Sequence, residues 1–334
     1  MIKPKVTLFL PGLHWNHQWQ ANHSWLISQI NIDCLLPFFF KGQLSSRVFS
    51  YSELLWHYVW RDLAINDFYR SIWKEDPIQL IIASPVSQEL QLHKMIVRWG
   101  SEGLSLNLTE AKAFCEMLSH YYAADGLQFF PFTQDIWLLK SNQPLVFSSL
   151  PPCDLPDLVT DEMRIQGKDA WLIERWQSEI QMLLSSHPIN KVRSNNQLFP
   201  INGLCLWRLP SRPLAPMSSA LLLHSKEWAW LTPQAQLKQE EILYKLKLLL
   251  ENGQSVIIFS DALDIAKRFY HWPLYQQQFS WWSKVLTYLL ERLEQRLLRQ
   301  ITLVSPGRAL ALKPQRGFTL FHRKLPSYAG QWPR

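Results

Sequence analysis

The sequence predicts an α/β fold: a mostly parallel sheet with helices on both faces, plus an inserted α+β subdomain. Two observations predict the core. Short continuous apolar runs recur along the chain, bounded by turn residues, as strands buried on both faces require. Amphipathic stretches at three- and four-residue spacing separate them. A third observation, a strand–helix–strand block ending in a proline-bearing linker, predicts the subdomain.

The elements follow in order. Val6 to Leu10 is apolar throughout and stops at Pro11-Gly12, which suits a buried first strand and a turn. Ser52 to Arg70 carries Leu55, Tyr58, Val59 and Leu63 at a loose helical period. Ile78 to Ala83 reads as a second buried strand, and Leu90 to Val97 as part of a β-ribbon. Thr109 and Glu110 open a helix bearing Phe114, Leu118 and Tyr121, and Asp125-Gly126 then turns into strands at 127–130 and 136–140. Ser148 to Pro156, with three prolines, is a linker. Helices follow over 173–186, 240–250 and 286–297, and buried strands over 203–207, 255–260 and 301–304.

The most informative stretch runs from Glu179 to Trp207. Ile173, Trp176, Ile180, Leu183 and Leu184 mark an amphipathic helix, and Pro188 pushes His187 out of the helical region. Asn190, Arg193 and Asn202 come next, and the apolar run from Gly203 begins a strand. A helix-to-strand crossing is where α/β proteins place ligand groups. His187, Asn190, Arg193 and Asn202 are therefore the candidate ligand-binding set. Arg193 offers a forked cation for carboxylate or phosphate, and the asparagines offer neutral donors and acceptors. His187 could supply a proton near neutral pH. The same residues also suit a capped loop, with each asparagine bonding nearby backbone. No catalytic residue stands out.

Composition narrows the function classes. With 47% apolar residues, the chain is globular. The 17 tryptophans are expected mainly in the core. Cys34, Cys115, Cys153 and Cys205 are far apart, which argues against a disulfide framework and a zinc site and fits a reducing compartment. No apolar run reaches the roughly 20 residues of a membrane span. The first apolar stretch is too short for a signal peptide, so a cytoplasmic location without membrane association is expected. His14, His17 and His23 fall within ten residues, but no acid lies among them and their spacing matches no zinc signature; no metal is assigned. Residues 284–334 carry a net charge of +8 and the rest −1. That segment could attract polyanions, but no nucleic-acid motif accompanies it, so specific nucleic-acid binding is not expected.

Several segments together carry a resemblance. They are LFLPGL near the start, ASPVSQELQLHKMIV at 83–97, LNLTEAKAF at 106–114, AADGLQF at 123–129, the central HPIN…R…PIN, FSDAL at 259–263 and ITLVSPG at 301–307. In this order they resemble the RpfE-type regulatory protein family of proteobacteria. That family is itself similar to the metal-dependent, cofactor-independent phosphoglycerate mutases of the alkaline phosphatase superfamily. The resemblance implies an alkaline-phosphatase-like core from 1–84 and 166–334, interrupted by an inserted α+β subdomain over 85–165.

The mutases hold two metals with Asp and His, and this sequence departs from that pattern. No Asp ends the first strand, no Asp-x-x-x-His or Gly-Asp-His cluster follows a later one, and Asp261 is the only acid at the end of a core strand. Two-metal phosphoryl transfer needs several such ligands. Position 197 is Gln where the family pattern has Gly, and Trp207 is followed by Arg208 and not glycine. The expected function is thus non-catalytic: binding of a small anionic ligand or a protein partner in a regulatory role, with no cofactor. The alternative is a phosphoglycerate mutase or related phosphoryl-transfer enzyme using Mn or Mg.

Overall fold

The computed structural model of the chain describes residues 3–13, 25–26, 29–45, 49–60, 64–73, 80–91, 94–155, 164–210 and 219–314. His14, His17, His23 and the basic stretch from 315 onward lie outside them. The strands are β1 (Lys5–Phe9), β2 (Gln43–Leu44), β3 (Ile81–Gln91), β4 (Lys94–Trp99), β5 (Leu127–Pro131), β6 (Trp137–Ser141), β7 (Gly203–Trp207), β8 (Ala220–His224), β9 (Val256–Ser260), β10 (Gln300–Ser305) and β11 (Arg308–Leu312). The α-helices are α1 (Leu36–Lys41), α2 (Tyr51–Tyr58), α3 (Ala64–Trp73), α4 (Gly100–Leu104), α5 (Leu108–Tyr121), α6 (Ala170–Ser186), α7 (Pro188–Asn195), α8 (Gln239–Glu251), α9 (Ala262–Arg268) and α10 (Trp272–Glu294).

These elements form two units, one of Met1–Arg61 with Leu214–Arg334 and one of Asp62–Pro213. The first is built on a six-stranded sheet in the order β2-β11-β10-β1-β9-β8. Its four strands β10, β1, β9 and β8 run parallel, while β11 and β2 are antiparallel additions at one edge. Alternation along β1 explains why helices cover both faces. Val6 and Leu8 point into a core with Phe38 and with Phe279, Trp282, Leu286 and Leu289 of α10. Phe9 points the other way, onto Tyr51 and Tyr58 of α2, at ring separations of 5.8 and 6.1 Å. The α/β class expected from the sequence is the class found.

The Pro11-Gly12 turn after β1 has a specific steric reason. Gly12 sits at φ +84°, and a Cβ there would lie 2.5 Å from the backbone nitrogen of Asp264. Only glycine lets the loop come this close to the start of α9. The Tyr275 hydroxyl donates to the Gly12 carbonyl at 3.0 Å and fixes the approach.

The second unit is α+β. Its sheet has the order β4-β3-β6-β5, with β7 also paired to β3, and every pairing is antiparallel. The ribbon expected over 90–97 is the turn end of a longer pair: β3 runs on from Ile81 to Gln91 and pairs with β4. Helices α5 and α6 pack through Phe114, Leu118, Ile173 and Ile180 onto Ile81, Trp137 and Leu206. An Asn107–Glu110 capping box starts α5.

Two expectations are corrected. The single helix over 52–70 is two helices, α2 and α3, because α2 ends at Tyr58. Strand 203–207 has the expected bounds, but it joins the antiparallel sheet through β3 and not the parallel core. The two compact units divide at 61/62 and 213/214, and the junctions expected from the sequence lie at 84/85 and 165/166. Strands β8 and β11 and helix α7 were not expected. Pro188 does end one helix, but it also occupies the first position of the next, where its missing N–H costs nothing.

Candidate functional site

The four residues expected to bind a ligand lie in the second unit, around α7. Asn190 is buried. Its Nδ2 donates to the carbonyls of Leu184 (2.6 Å) and Ile201 (2.7 Å), and its Oδ1 accepts from the Ile201 N–H (2.8 Å). One amide therefore ties the end of α6 to the entry of β7. Arg193 is 0% exposed. Its Nε donates to the Phe199 carbonyl at 3.0 Å, its Nη1 to Glu110 Oε2 at 2.9 Å, and its Nη2 to the Leu104 carbonyl. Glu110 Oε2 also accepts from the Asn107 N–H at 3.0 Å, so one oxygen serves both the helix cap and the guanidinium. The fork therefore spans three acceptors, matching the rigid donor geometry of arginine.

Asn202 is engaged differently. Its Oδ1 accepts from the Gln88 N–H at 2.7 Å and its Nδ2 donates to the Gln88 carbonyl at 2.9 Å. The side chain copies a strand partner and adds a rung beyond the β3–β7 ladder. His187 caps α7, with Nδ1 accepting from the Ile189 N–H at 3.2 Å, and its ring lies 4.7 Å from that of Phe114. Burial lowers its pKa. Asn190 and Arg193 thus hold the 196–201 turn, His187 sits at the α6–α7 junction, and Asn202 reaches β3. This is the capped-loop arrangement, in which the polar atoms serve the chain itself.

A second polar cluster occupies the carboxyl ends of the parallel strands in the first unit, the edge where open α/β sheets place ligands. Parallel pairing sets His224 of β8 opposite Ser260 of β9, and their side chains share a hydrogen bond of 2.9 Å. Both strands end there, so Ser225 and Asp261 follow together. Asp261 Oδ2 accepts from the Ser225 hydroxyl and from the Glu227 N–H at 3.2 Å. The Ser225 oxygen accepts in turn from the Trp228 N–H at 2.8 Å. Arg268, in the last turn of α9, pairs with Glu227 at 2.6 Å and with Asp264 at 3.3 Å.

Electrostatics follow from burial. Glu227 and Asp261 are 3% and 1% exposed. Burial, with Asp261 and Asp264 as like charges, pushes Glu227 up to about 8 against the pull of Arg268. Burial pushes Asp261 up to about 6, opposed by its bonds to Ser225 and the Glu227 N–H. Burial also works against the Arg268 cation, but Glu227 and Asp264 hold its pKa above the ordinary value. In His224, burial lowers the pKa while Glu240 raises it.

Asp261 and Glu227 are bonded to Ser225, backbone N–H groups and Arg268, and no three His, Cys, Asp or Glu side chains among the described residues converge as a donor set. Sequence reading singled out Asp261 but missed Ser225, Glu227 and Arg268. The available signal was the apolar run Ala220–Leu223 breaking into His224-Ser225-Lys226-Glu227, the same strand-to-polar change seen at Ser260-Asp261.

No family model and no curated protein matches the chain. Among solved structures, it is similar to "Cofactor-Independent Phosphoglycerate mutase from Thermoplasma Acidophilum DSM 1728", at 13% identity and a TM-score of 0.35, over 96% of this chain and 92% of that one. It is also similar to "Structure of PH0037 protein from Pyrococcus horikoshii", at 14% identity and a TM-score of 0.45, over 93% and 87%. Among the described residues no helix is long and apolar enough to cross a membrane.

Proposed function

We propose that this chain is a phosphoglycerate mutase-like protein of the RpfE type that works by binding a small anionic ligand or a protein partner in a regulatory role, without phosphoryl transfer. One observation carries the reading. At the carboxyl edge of the parallel strands, the acids are taken up inside the chain. Asp261 is held by Ser225 and backbone N–H groups, and Glu227 by Arg268. Metal-assisted phosphoryl transfer needs carboxylates and imidazoles presented to the ions. An anion at Arg193 would have to take the place of Glu110 or of the Leu104 and Phe199 carbonyls.

The test is turnover of 3-phosphoglycerate by purified protein with Mn²⁺ or Mg²⁺ added. Background rates are expected. Robust turnover that disappears on chelation would replace this reading with that of a metal-dependent mutase. Phosphate titration followed by thermal melting tests the anion half, since a ligand bound only to the folded state raises the melting temperature. Stabilisation that survives Arg193→Ala would remove Arg193 from any anion site.

A further inference from the structure

We propose that Glu227, Arg268, Asp261 and Asp264 form a proton-linked latch that holds the segment after β8 against α9, closed while Glu227 carries its proton and loosened when it ionises. This inference is independent of what the protein binds. It stands first on geometry. Glu227 is almost wholly buried, and its Oε2 lies 2.6 Å from Arg268 Nη2. Its second oxygen, Oε1, is buried and has no hydrogen-bond partner among the described residues. A buried carboxylate oxygen with no donor is costly, whereas a protonated acid carries far less charge to desolvate.

Charge balance points the same way. Two carboxyl groups contact Arg268, Glu227 from the loop after β8 at 2.6 Å and Asp264 from α9 itself at 3.3 Å, and a third, Asp261 at the end of β9, is close enough to feel its charge. Tyr51 of α2 lies beside the same guanidinium. With all three acids ionised, the cluster carries two uncompensated negative charges in a low-dielectric setting; a proton on Glu227 removes one. The segment being held includes the Glu227 and Trp228 N–H groups, which bond Asp261 and Ser225. It also includes the buried Trp228 and Trp230. Ionisation of Glu227 therefore acts directly on the contacts that fasten this segment.

The sign is fixed by the direction of the shift. The folded chain keeps the Glu227 proton up to about pH 8, whereas the unfolded chain releases it near the ordinary value of 4.5. Stability is therefore fully present at the acid end and falls as pH rises towards 8.

The experiment is urea unfolding of the full chain, followed by tryptophan fluorescence from pH 6.5 to 8.5, in the wild type and Glu227→Gln. The wild-type unfolding constant should rise on the order of tenfold or more across the window, and the variant, with no proton to lose, should stay nearly level. A level wild type, or a variant with the wild-type slope, would overturn the latch. Should Glu227→Gln fail to fold, hydrogen exchange on the wild type decides. Protection at the Glu227 and Trp228 amides should drop across this window while that at Gln88 holds. Constant protection at all three would sink the proposal.

Discussion

Arg193 in one unit is buried and Arg268 in the other is half-buried; both meet carboxylates, but they are neutralised differently. Arg193 meets one carboxylate and two backbone carbonyls, so each branch of its fork has an acceptor. Arg268 sits among three acids, one of which keeps an oxygen without a donor. The first arrangement is closed: one positive charge, one negative, and two neutral acceptors. The second has more acids than guanidinium charge, and a proton on one of them eases the imbalance. The number of acids around an arginine thus separates a fixed clamp at Arg193 from the titrating group proposed at Arg268.

The largest expected effect tests the clamp. Arg193→Ala should destabilise the second unit by about 3–5 kcal/mol, because it strands Glu110 and two carbonyls together. Urea unfolding of the variant measures this, and a loss under about 1 kcal/mol would show that the fork holds little, against the range above. A smaller effect is expected one strand away. Asn202→Ala removes both partners of Gln88, at a cost of about 1–3 kcal/mol, with faster exchange of the Gln88 amide as its marker. If exchange there is unchanged, the rung beyond the ladder is not formed. The smallest effect has the opposite sign. Gln197 lies just beyond the end of α7 at φ +57°, a left-handed conformation that glycine adopts freely. Gln197→Gly should stabilise the second unit by ~1 kcal/mol. An unchanged unfolding midpoint would mean that side-chain contacts of Gln197 offset the strain.

The site was legible in part, for physical reasons. A concentration of polar groups between a helix and an apolar run is visible in the sequence, and so is its location at a helix-to-strand crossing. Which atoms satisfy them is not. The Leu104 and Phe199 carbonyls that receive Arg193 belong to backbone, which leaves no mark in residue identities. Gln197 could be flagged against the family's glycine, and its positive φ supplies the reason. Strand β7 was bounded correctly because an apolar run between polar ends defines its length. Its partner was not, because burial on both faces looks the same in a parallel or an antiparallel sheet. Strand β8 escaped notice because its five residues follow a proline-rich stretch and resemble a loop exit. Without β8, nothing in the sequence sets Ser225 and Glu227 beside Asp261.

The Asn202–Gln88 pairing has a consequence for how the second unit assembles. These residues are 114 positions apart, so β3 and β7 must find each other across a large loop, a slow kind of contact to form. A strand with alternating faces can arrive one residue out of step, which would turn Leu204 and Leu206 away from the helices they cover. Most of the ladder cannot detect that error, because backbone groups are the same at every residue. A side-chain amide can, since it occurs at one position only. Asn202 meets both polar groups of Gln88 only when Gly203 faces Val86, so this asparagine indexes the strand and favours the one alignment in which the ladder and the core are both satisfied.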